Sequence, residues 1–241
     1  MANIIISWIG KIPILTTLFS VYFFIILYRH SRHKPEALYV HWWTIGVFCY
    51  GLGTLTESLV GLFGWNVFVF KAWYITGALL GGFPLAQGSA YLLLSKKKAH
   101  IITAIMLLII AVTSVFIILS PIDYTKVEAT RLTGKVLQWK AVRLVTPFVN
   151  TYAFVMLVGG AFYSAWLYYK KGVAFRARFV GNILIATGGL LPGIGGSFTK
   201  FGYTEVLYVT ELIGIILIYI GYTKMKTDYS VSIYSTQAVS A

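Results

Sequence analysis

Residues 101–119 read IITAIMLLIIAVTSVFIIL, a run of 19 residues without one charged side chain. A bilayer core of about 30 Å is crossed by about 20 residues of α-helix, so this run is long enough to span a membrane. The rest of the chain has the same character, with 58% hydrophobic and 11% charged residues, whereas soluble domains carry about 25% charged residues. The mean hydropathy is +0.79. These features predict an all-α, polytopic membrane protein.

Six further stretches resemble this one in length and apolar character, which predicts seven transmembrane helices. The predicted spans are Ile6–Tyr28, Leu38–Phe63, Phe70–Leu94, Ile101–Leu119, Thr146–Tyr169, Phe179–Phe198 and Thr204–Tyr222. We expect residues 1–223 to form one membrane domain. Residues 224–241, which are rich in serine and threonine, are expected to form a mobile cytoplasmic tail.

The basic residues between the spans predict the orientation of the chain. Twelve of them fall on one side of the predicted bundle, and only three fall in short segments on the other side. The twelve are Arg29, Arg32, Lys34, Lys96, Lys97, Lys98, Lys170, Lys171, Arg176, Arg178, Lys224 and Lys226; the three are Lys11, Lys71 and Lys200. Because short basic segments stay in the cytoplasm, we expect the N-terminus outside and the C-terminus inside an inner (plasma) membrane.

The net charge of +13 suggests a polyanionic partner. Since the basic residues lie between apolar spans, anionic lipid headgroups at the cytoplasmic face fit this charge better than nucleic acid does. The only long connection, residues 120–145, is predicted to be extracytoplasmic. It could form a lid, a hairpin at Thr133 and Gly134, or an outward extension of the fifth span, but its mixed charges favour a solvated surface.

Two carboxylates lie inside predicted spans. Glu57 is six residues from the outer end of the second span, roughly 9 Å deep, and Glu211 is seven residues from the outer end of the seventh, roughly 10 Å deep. A charged side chain at such a depth costs about 2–3 kcal/mol unless it faces the bundle interior or a wet cavity. We therefore predict an outward-opening site for a small polar or cationic ligand, or for protons. Its residues would be Glu57, Lys71, Trp73, Tyr208 and Glu211.

A purely structural interpretation of these acids remains open. Each glutamate would then be protonated, or would pair with Lys71, Lys200 or Arg143 to hold helices together.

Small residues predict where helices pack closely. Gly77 and Gly81 are four apart in the third span, and Gly189 and Gly193 are four apart in the sixth, so these two spans are expected to be central. Prolines within the same spans predict bends, at Pro84 and Pro192. Three buried polar side chains are predicted to form hydrogen bonds between helices. They are Gln87, Asn150 and Asn182.

Two segments of the chain show a weak internal sequence similarity. Residues 51–65, GLGTLTESLVGLFGW, and residues 189–203, GLLPGIGGSFTKFGY, share an opening Gly-Leu and a closing Phe-Gly before an aromatic residue. This offset would place spans 1–3 over spans 5–7, as in a 3+1+3 parallel repeat. The plan resembles that of SWEET-type sugar carriers and PnuC-type vitamin carriers. Their Pro-Gln pair is missing, since Pro84 and Gln87 lie apart in this chain.

Two segments carry a second resemblance. Residues 73–94, WYITGALLGGFPLAQGSAYLLL, and residues 208–222, YVTELIGIILIYIGY, are similar to seven-helix prokaryotic membrane proteins. Some of those proteins are similar to the membrane sensor regions of signalling proteins. This resemblance implies a sensor or an accessory subunit of a larger membrane complex.

Neither a cofactor nor a metal site is indicated. The seventh span has no lysine that could hold retinal, and all four histidines lie near the cytoplasmic interface, where no facing pair could ligate haem. We predict that the protein binds and transports a small solute. The alternatives are a sensor or accessory subunit that needs partner subunits and, third, a lipid-modifying enzyme, for which no catalytic residue is assigned.

Overall fold

The structure is a computed structural model that describes the backbone of residues 10–129 and 131–239, and the side chains as far as Lys226. The described chain is helical and contains no β-strand, although two isolated bridges occur in the long loop. Seven helices are long and apolar enough to cross a membrane, which fits a multi-pass membrane protein. Residues 6–9, with which the first predicted span begins, lie outside the described residues.

The seven helices are labelled α1 to α7 in chain order. They are α1 Ile12–His33, α2 Leu38–Phe63, α3 Val67–Leu93, α4 Lys96–Leu119, α5 Lys140–Lys170, α6 Val173–Thr199 and α7 Thr204–Val239. Their positions confirm the seven predicted spans, with shifts at the ends. At its outer end, α5 begins six residues before the predicted start.

Local sequence explains several boundaries. Gly64, at a φ of +82°, ends α2, because few other residues adopt this backbone conformation. Asn66 then caps α3, since its side-chain oxygen accepts hydrogen bonds from the backbone N–H groups of Phe68 and Val69. The chain thus turns from α2 into α3 within three residues, which places the ends of these two helices side by side.

Two helices contain wider π-helical turns, over Tyr74–Leu79 in α3 and Phe154–Gly159 in α5. In α3 the helix is interrupted after the π-helical turns and resumes at Phe83, with Pro84 in the first turn of the new segment. Both prolines were predicted to bend their helices; α3 is interrupted just before Pro84, whereas α6 continues through Pro192. Wider turns of this kind often occur at functional sites in helices.

The helices pack in the order α1, α2, α3, α5, α6, α7, and α7 returns to contact α1. Helix α4 lies outside this ring against α3 and α5. The most apolar window of α2 is 61% buried, whereas the corresponding windows of the other helices are 28–33% buried. The prediction that the third and sixth spans are central was therefore wrong, and α2 is the central helix.

Helix α7 extends well beyond the predicted end of its span, to Val239. The backbone of residues 224–239, predicted as a tail, is thus helical. Whether this extension is mobile stays a prediction.

Candidate functional site

The two buried glutamates come together. Glu57 on α2 is 5% exposed, and its carboxyl group lies within hydrogen-bonding reach of the carboxyl group of Glu211 on α7. Their similar depth from the same end of the bundle, expected from the sequence, makes this contact geometrically feasible. The helix rotations that aim both side chains at each other were not evident from the sequence.

Hydrogen-bond donors surround part of this carboxyl pair. The indole Nε1 of Trp73, just before the π-helical turns of α3, donates to Glu57 Oε1 at 3.0 Å. The hydroxyl of Tyr50, two turns from Glu57 on α2, donates to the backbone carbonyl of Glu211 at 2.9 Å. Helical spacing places Tyr50 on the face of Glu57, although it was not among the five predicted site residues.

The other carboxyl oxygens are less well satisfied. Glu57 Oε2 and Glu211 Oε2 are buried, and no donor group reaches either of them within the described part of the chain. A hydrogen bond between two carboxyl groups requires a proton on one of them, since both are otherwise acceptors. Two unneutralised buried charges at this distance would be strongly unfavourable. The pair is therefore built to hold a proton or another positive charge.

In the described part of the chain, no recorded ion pair supplies that charge to Glu57 or Glu211. Within the described residues, the ion pairs are Lys126 with Asp123 and Arg131 with Glu128, both in the long loop. The structure places Lys71, predicted as a site residue, away from the carboxyl pair. Its ammonium group donates to the backbone carbonyls of Ile118 at 2.6 Å and Ser120 at 3.1 Å. It binds these carbonyls because the last turn of α4 has no backbone donors for them.

The remaining predicted site residue, Tyr208, lies on α7 about one turn before Glu211. Its phenol group is within electrostatic range of Glu57 and Glu211, and also of Arg131 in the long loop. Four of the five predicted residues are thus near each other, and Lys71 is the exception.

Sequence reasoning missed Arg131. Its guanidinium group donates from Nη2 to the backbone carbonyl of Thr199, at the end of α6, and from Nη1 to Glu128 at 3.4 Å. Its Nε is buried and meets no acceptor among the described residues. An arginine within a loop of mixed charges resembles an ordinary surface residue, so the sequence contained no signal for this position.

The loop between α4 and α5 is not the solvated surface that its charges suggested. Ile122 and Leu137 pair across the base of the loop, and both are buried with Leu132 and Val136 in an apolar cluster. Charged side chains beside them, such as that of Lys135, are exposed. Of the three shapes considered, a lid fits best, because the loop lies over the end of the bundle nearest the carboxyl pair.

One close contact fixes this loop against α3. Gly134 lies on the ring of Tyr74 in α3, and a Cβ at this position would be 2.7 Å from a ring carbon. Any other residue would push the loop away from the helix. At the start of the loop, hydrogen bonds from Lys126 and Thr125 hold the pKa of Asp123 below its usual value, and the Asp123 side chain caps the turn by accepting from the backbone N–H of Thr125.

The predicted packing glycines have different roles. Gly77 approaches the backbone of Gly53 on α2, as expected for a close helix contact, and Gly189 packs against Leu157 and Val158 of α5. Gly81 meets only the backbone of its own helix, at the interruption of α3. No atom lies within 4 Å of where a Cβ of Gly193 would be.

The closest helix contact instead uses glycines that were not singled out. On α6 and α7, Gly188 faces Gly214, and Gly181 faces Gly221. In each pair, a Cβ on one glycine would lie 2.5–2.8 Å from the backbone oxygen of the other. These two pairs hold α7, and therefore Glu211, tightly against α6.

The three polar side chains do connect structural elements. Gln87 donates to Thr103 on α4 at 2.7 Å and accepts from Tyr152 on α5 at 2.5 Å. Asn150 donates to the carbonyl of Ala78 in the π-helical part of α3 at 3.2 Å. Asn182 donates mainly within its own helix, with a longer contact to the sulfur of Met225 on α7.

The bundle also contains an interior cavity of about 10 Å³, large enough for roughly one water molecule. Its walls are mostly apolar, and it lies towards the basic end of the helices, away from Glu57. It is lined by Phe23, Leu27, Trp43, Leu85, Leu157, Ile185, Ile218 and Tyr222.

Comparison with known proteins adds no relative. No family model matches the chain, and neither a curated protein nor a solved structure is found to be similar to it.

Proposed function

We propose that this protein is an inner-membrane carrier for a small solute, and that Glu57 and Glu211 form its proton- or cation-binding site. The observation that carries the proposal is the meeting of two buried carboxyl groups from distant parts of the chain, and neither ion pair recorded between described residues involves them. A group that only held helices together would be better served by an ion pair or by apolar side chains. A carboxyl pair without a cation can exchange its proton for a positively charged ligand.

The proposed orientation places this pair near the outer face. Seven helices with twelve basic residues at one end favour that end as cytoplasmic, so the long loop lies outside. A solute would then enter from outside, beneath residues 120–139.

The order of the helices supports a carrier plan. In a 3+1+3 parallel repeat, α1–α3 and α5–α7 would each form one unit and α4 would connect them. The ring order and the outside position of α4 agree with this arrangement. The two units would meet at α3 with α5 and at α7 with α1, and relative motion at these contacts would open the site to either side.

One observation favours the alternative of a sensor or accessory subunit. Helix α7 carries Glu211 and continues as a helix to Val239. A change at the carboxyl pair could therefore be transmitted along one rigid element to a cytoplasmic partner subunit.

The test is uptake by purified protein in liposomes under an imposed pH gradient. We expect accumulation of at least one of three labelled probes, namely sodium, tetramethylammonium or L-alanine. Glu57→Gln and Glu211→Gln should each abolish it, because an amide cannot exchange a proton for a cation. Glu36→Gln, which removes an exposed carboxylate in the connection between α1 and α2, is the control and should leave uptake unchanged.

Two results would contradict the proposal. One is the absence of accumulation of all three probes by the folded wild-type protein. The other is equal uptake by the wild type and both glutamine variants, which would leave the carboxyl pair as a structural element.

A further inference from the structure

The turn between α5 and α6 concentrates positive charge at the basic end of the bundle. Four basic residues, Lys170, Lys171, Arg176 and Arg178, lie within a short stretch of chain there. From residue 129 to residue 204 the sequence contains no aspartate or glutamate, so neither of the two helices supplies an acid to neutralise them. Positive charge beside a membrane span attracts the anionic headgroups of lipids.

Aromatic rings hold two of these cations in place. The Nζ atom of Lys170 lies 3.7 Å from the centroid of the Trp166 ring. The Nζ atom of Lys171 lies 5.3 Å from the Tyr168 ring and 5.5 Å from the Phe175 ring, and these two rings are stacked with centroids 5.9 Å apart. Such cation–π contacts restrict the long side chains before any ligand binds, which lowers the entropic cost of binding.

A glycine gives the turn its shape. Gly172 has a φ of +90°, which few other residues adopt, and the chain after it folds back to stack Phe175 on Tyr168. The guanidinium carbon of Arg178 lies 5.6 Å from the centroid of the Tyr168 ring, and Lys171 Nζ lies 5.3 Å from it, so these two cations are at most about 11 Å apart. A single phosphate group, with hydrogen bonds of about 2.8 Å on either side, spans most of that distance.

The helix before this turn presents exposed aromatic side chains. Phe162, Tyr163 and Trp166 are 47%, 54% and 50% exposed. Trp166 lies one turn before Lys170 and beneath its ammonium group, so one face of α5 carries both rings and charge. Exposed aromatic side chains near the end of a span lie where acyl chains meet headgroups. A free anion would make no contact with this face, whereas a lipid held by its phosphate at Lys170 would lay its acyl chains along it.

We propose that this face of the protein binds an anionic phospholipid of the leaflet at the basic end. The phosphate would lie on Lys170 and Lys171, and the acyl chains would lie along Tyr163 and Trp166. This inference goes beyond the proposed carrier function and does not depend on it.

Native mass spectrometry of the purified full-length protein measures the binding of single lipid molecules. The protein is titrated with phosphatidylglycerol, which carries a net negative charge, or with zwitterionic phosphatidylcholine that has the same acyl chains. We expect the first phosphatidylglycerol to bind at least about tenfold more tightly, because two lysines contact its phosphate without an opposing choline group. An excess of inorganic phosphate should not displace it, since phosphate has no acyl chains to contact α5.

Two double variants separate this site from a general attraction to positive charge. Lys170→Gln with Lys171→Gln should reduce the preference for phosphatidylglycerol to less than about twofold. Lys97→Gln with Lys98→Gln is the matched control, because it removes two consecutive exposed lysines at the same end of the bundle. No ring contact is recorded for either of these lysines in the described structure, so the control should retain the full preference.

A third variant tests the ring contact. Trp166→Leu keeps every charge but removes the ring beneath Lys170, and it should weaken phosphatidylglycerol binding about two- to fivefold. Thermal unfolding of each variant verifies that the protein remains folded. Unchanged binding in Trp166→Leu would overturn the role given to the ring.

Three further results would overturn the inference as a whole. Equal affinities for the two lipids would show that the headgroup charge is not recognised. Equal losses in the two lysine double variants would show a diffuse attraction to all basic residues at this end. Displacement by inorganic phosphate would show an anion site to which the lipid chains contribute nothing. None of these results depends on solute uptake or on Glu57 and Glu211, so this inference and the proposed function can fail separately.

Discussion

At the scale of single residues, the carboxyl pair depends on a few donors. Trp73 supplies the side-chain hydrogen bond to Glu57 Oε1. The glutamate is nearly fully buried, so water cannot replace a lost donor. The tryptophan was predicted as a site residue from its level in the third span. Its role in the structure is to position a carboxyl group, and its large ring also fills space beside Phe70 and Tyr74.

Replacing Trp73 with phenylalanine should therefore destabilise the protein. We expect Trp73→Phe to lower the free energy of unfolding by about 1–3 kcal/mol, because a buried acceptor is left without its donor. Equilibrium unfolding in detergent measures this change. Trp65→Phe is the control at the same end of the bundle, since Trp65 Nε1 is buried and has no hydrogen-bond partner in the described structure. Equal losses in both variants would show that ring packing, not the hydrogen bond, matters at Trp73.

At the scale of elements, the contact between α6 and α7 positions Glu211. Gly188 and Gly214 face each other so closely that neither helix can carry a side chain there. In a membrane the hydrophobic effect does not drive helices together, so close van der Waals packing of backbones stabilises their contact instead. The sequence alone predicted glycine packing in the sixth span, and Gly189 does pack against α5. It did not identify the glycines that face α7, because four-residue spacing occurs on several faces of a glycine-rich helix.

A pair of alanine substitutions distinguishes these faces. Gly188→Ala should lower the free energy of unfolding by about 1–3 kcal/mol, because its Cβ would lie 2.5 Å from the Gly214 oxygen and force the helices apart. Gly193→Ala should be neutral or stabilising by up to about 1 kcal/mol, since its Cβ meets no atom and alanine favours the helix. Detergent unfolding curves provide both values. The reverse order of stabilities would contradict the packing of α6 against α7.

At the scale of the whole molecule, orientation decides which side the site faces. The basic residues predict that the loop between α4 and α5 lies outside, and the carboxyl pair lies at the same end of the bundle as this loop. The expected direction of solute entry therefore follows from the charge distribution of the chain. An inverted protein would place the same site at the cytoplasmic face.

Labelling of single cysteines tests this orientation. The chain has one cysteine, Cys49, which is buried and is replaced by alanine in the starting variant. In intact cells, a membrane-impermeant maleimide should label Lys135→Cys, whereas Lys97→Cys should react only after permeabilisation. Both positions are exposed, so accessibility within the protein does not differ between them. Labelling of Lys97→Cys alone in intact cells would show the opposite orientation.

The sequence by itself determined that the protein is a helical membrane protein, and it determined the depth of Glu57 and Glu211 within their helices. Apolar length is a local property, so all seven spans could be predicted. Depth along a helix is a count of residues, and the shared level of Glu57 and Glu211 followed from it. The unusual placement of two acids in apolar spans also indicated where a site would be.

Only the tertiary structure decided which groups meet at that level. Each helix can rotate about its axis without changing its apolar length, so the sequence did not show that Lys71 would turn to the end of α4. Nor did it show that Gly188, not Gly193, would face α7. The path of a loop depends on what its apolar residues can cover, and docking of four such residues brought Arg131 to the end of α6, where it binds the carbonyl of Thr199. The rotation of each helix and the path of the loop decide which side chains form the site. Both depend on contacts between residues far apart in the chain, which the sequence alone does not reveal.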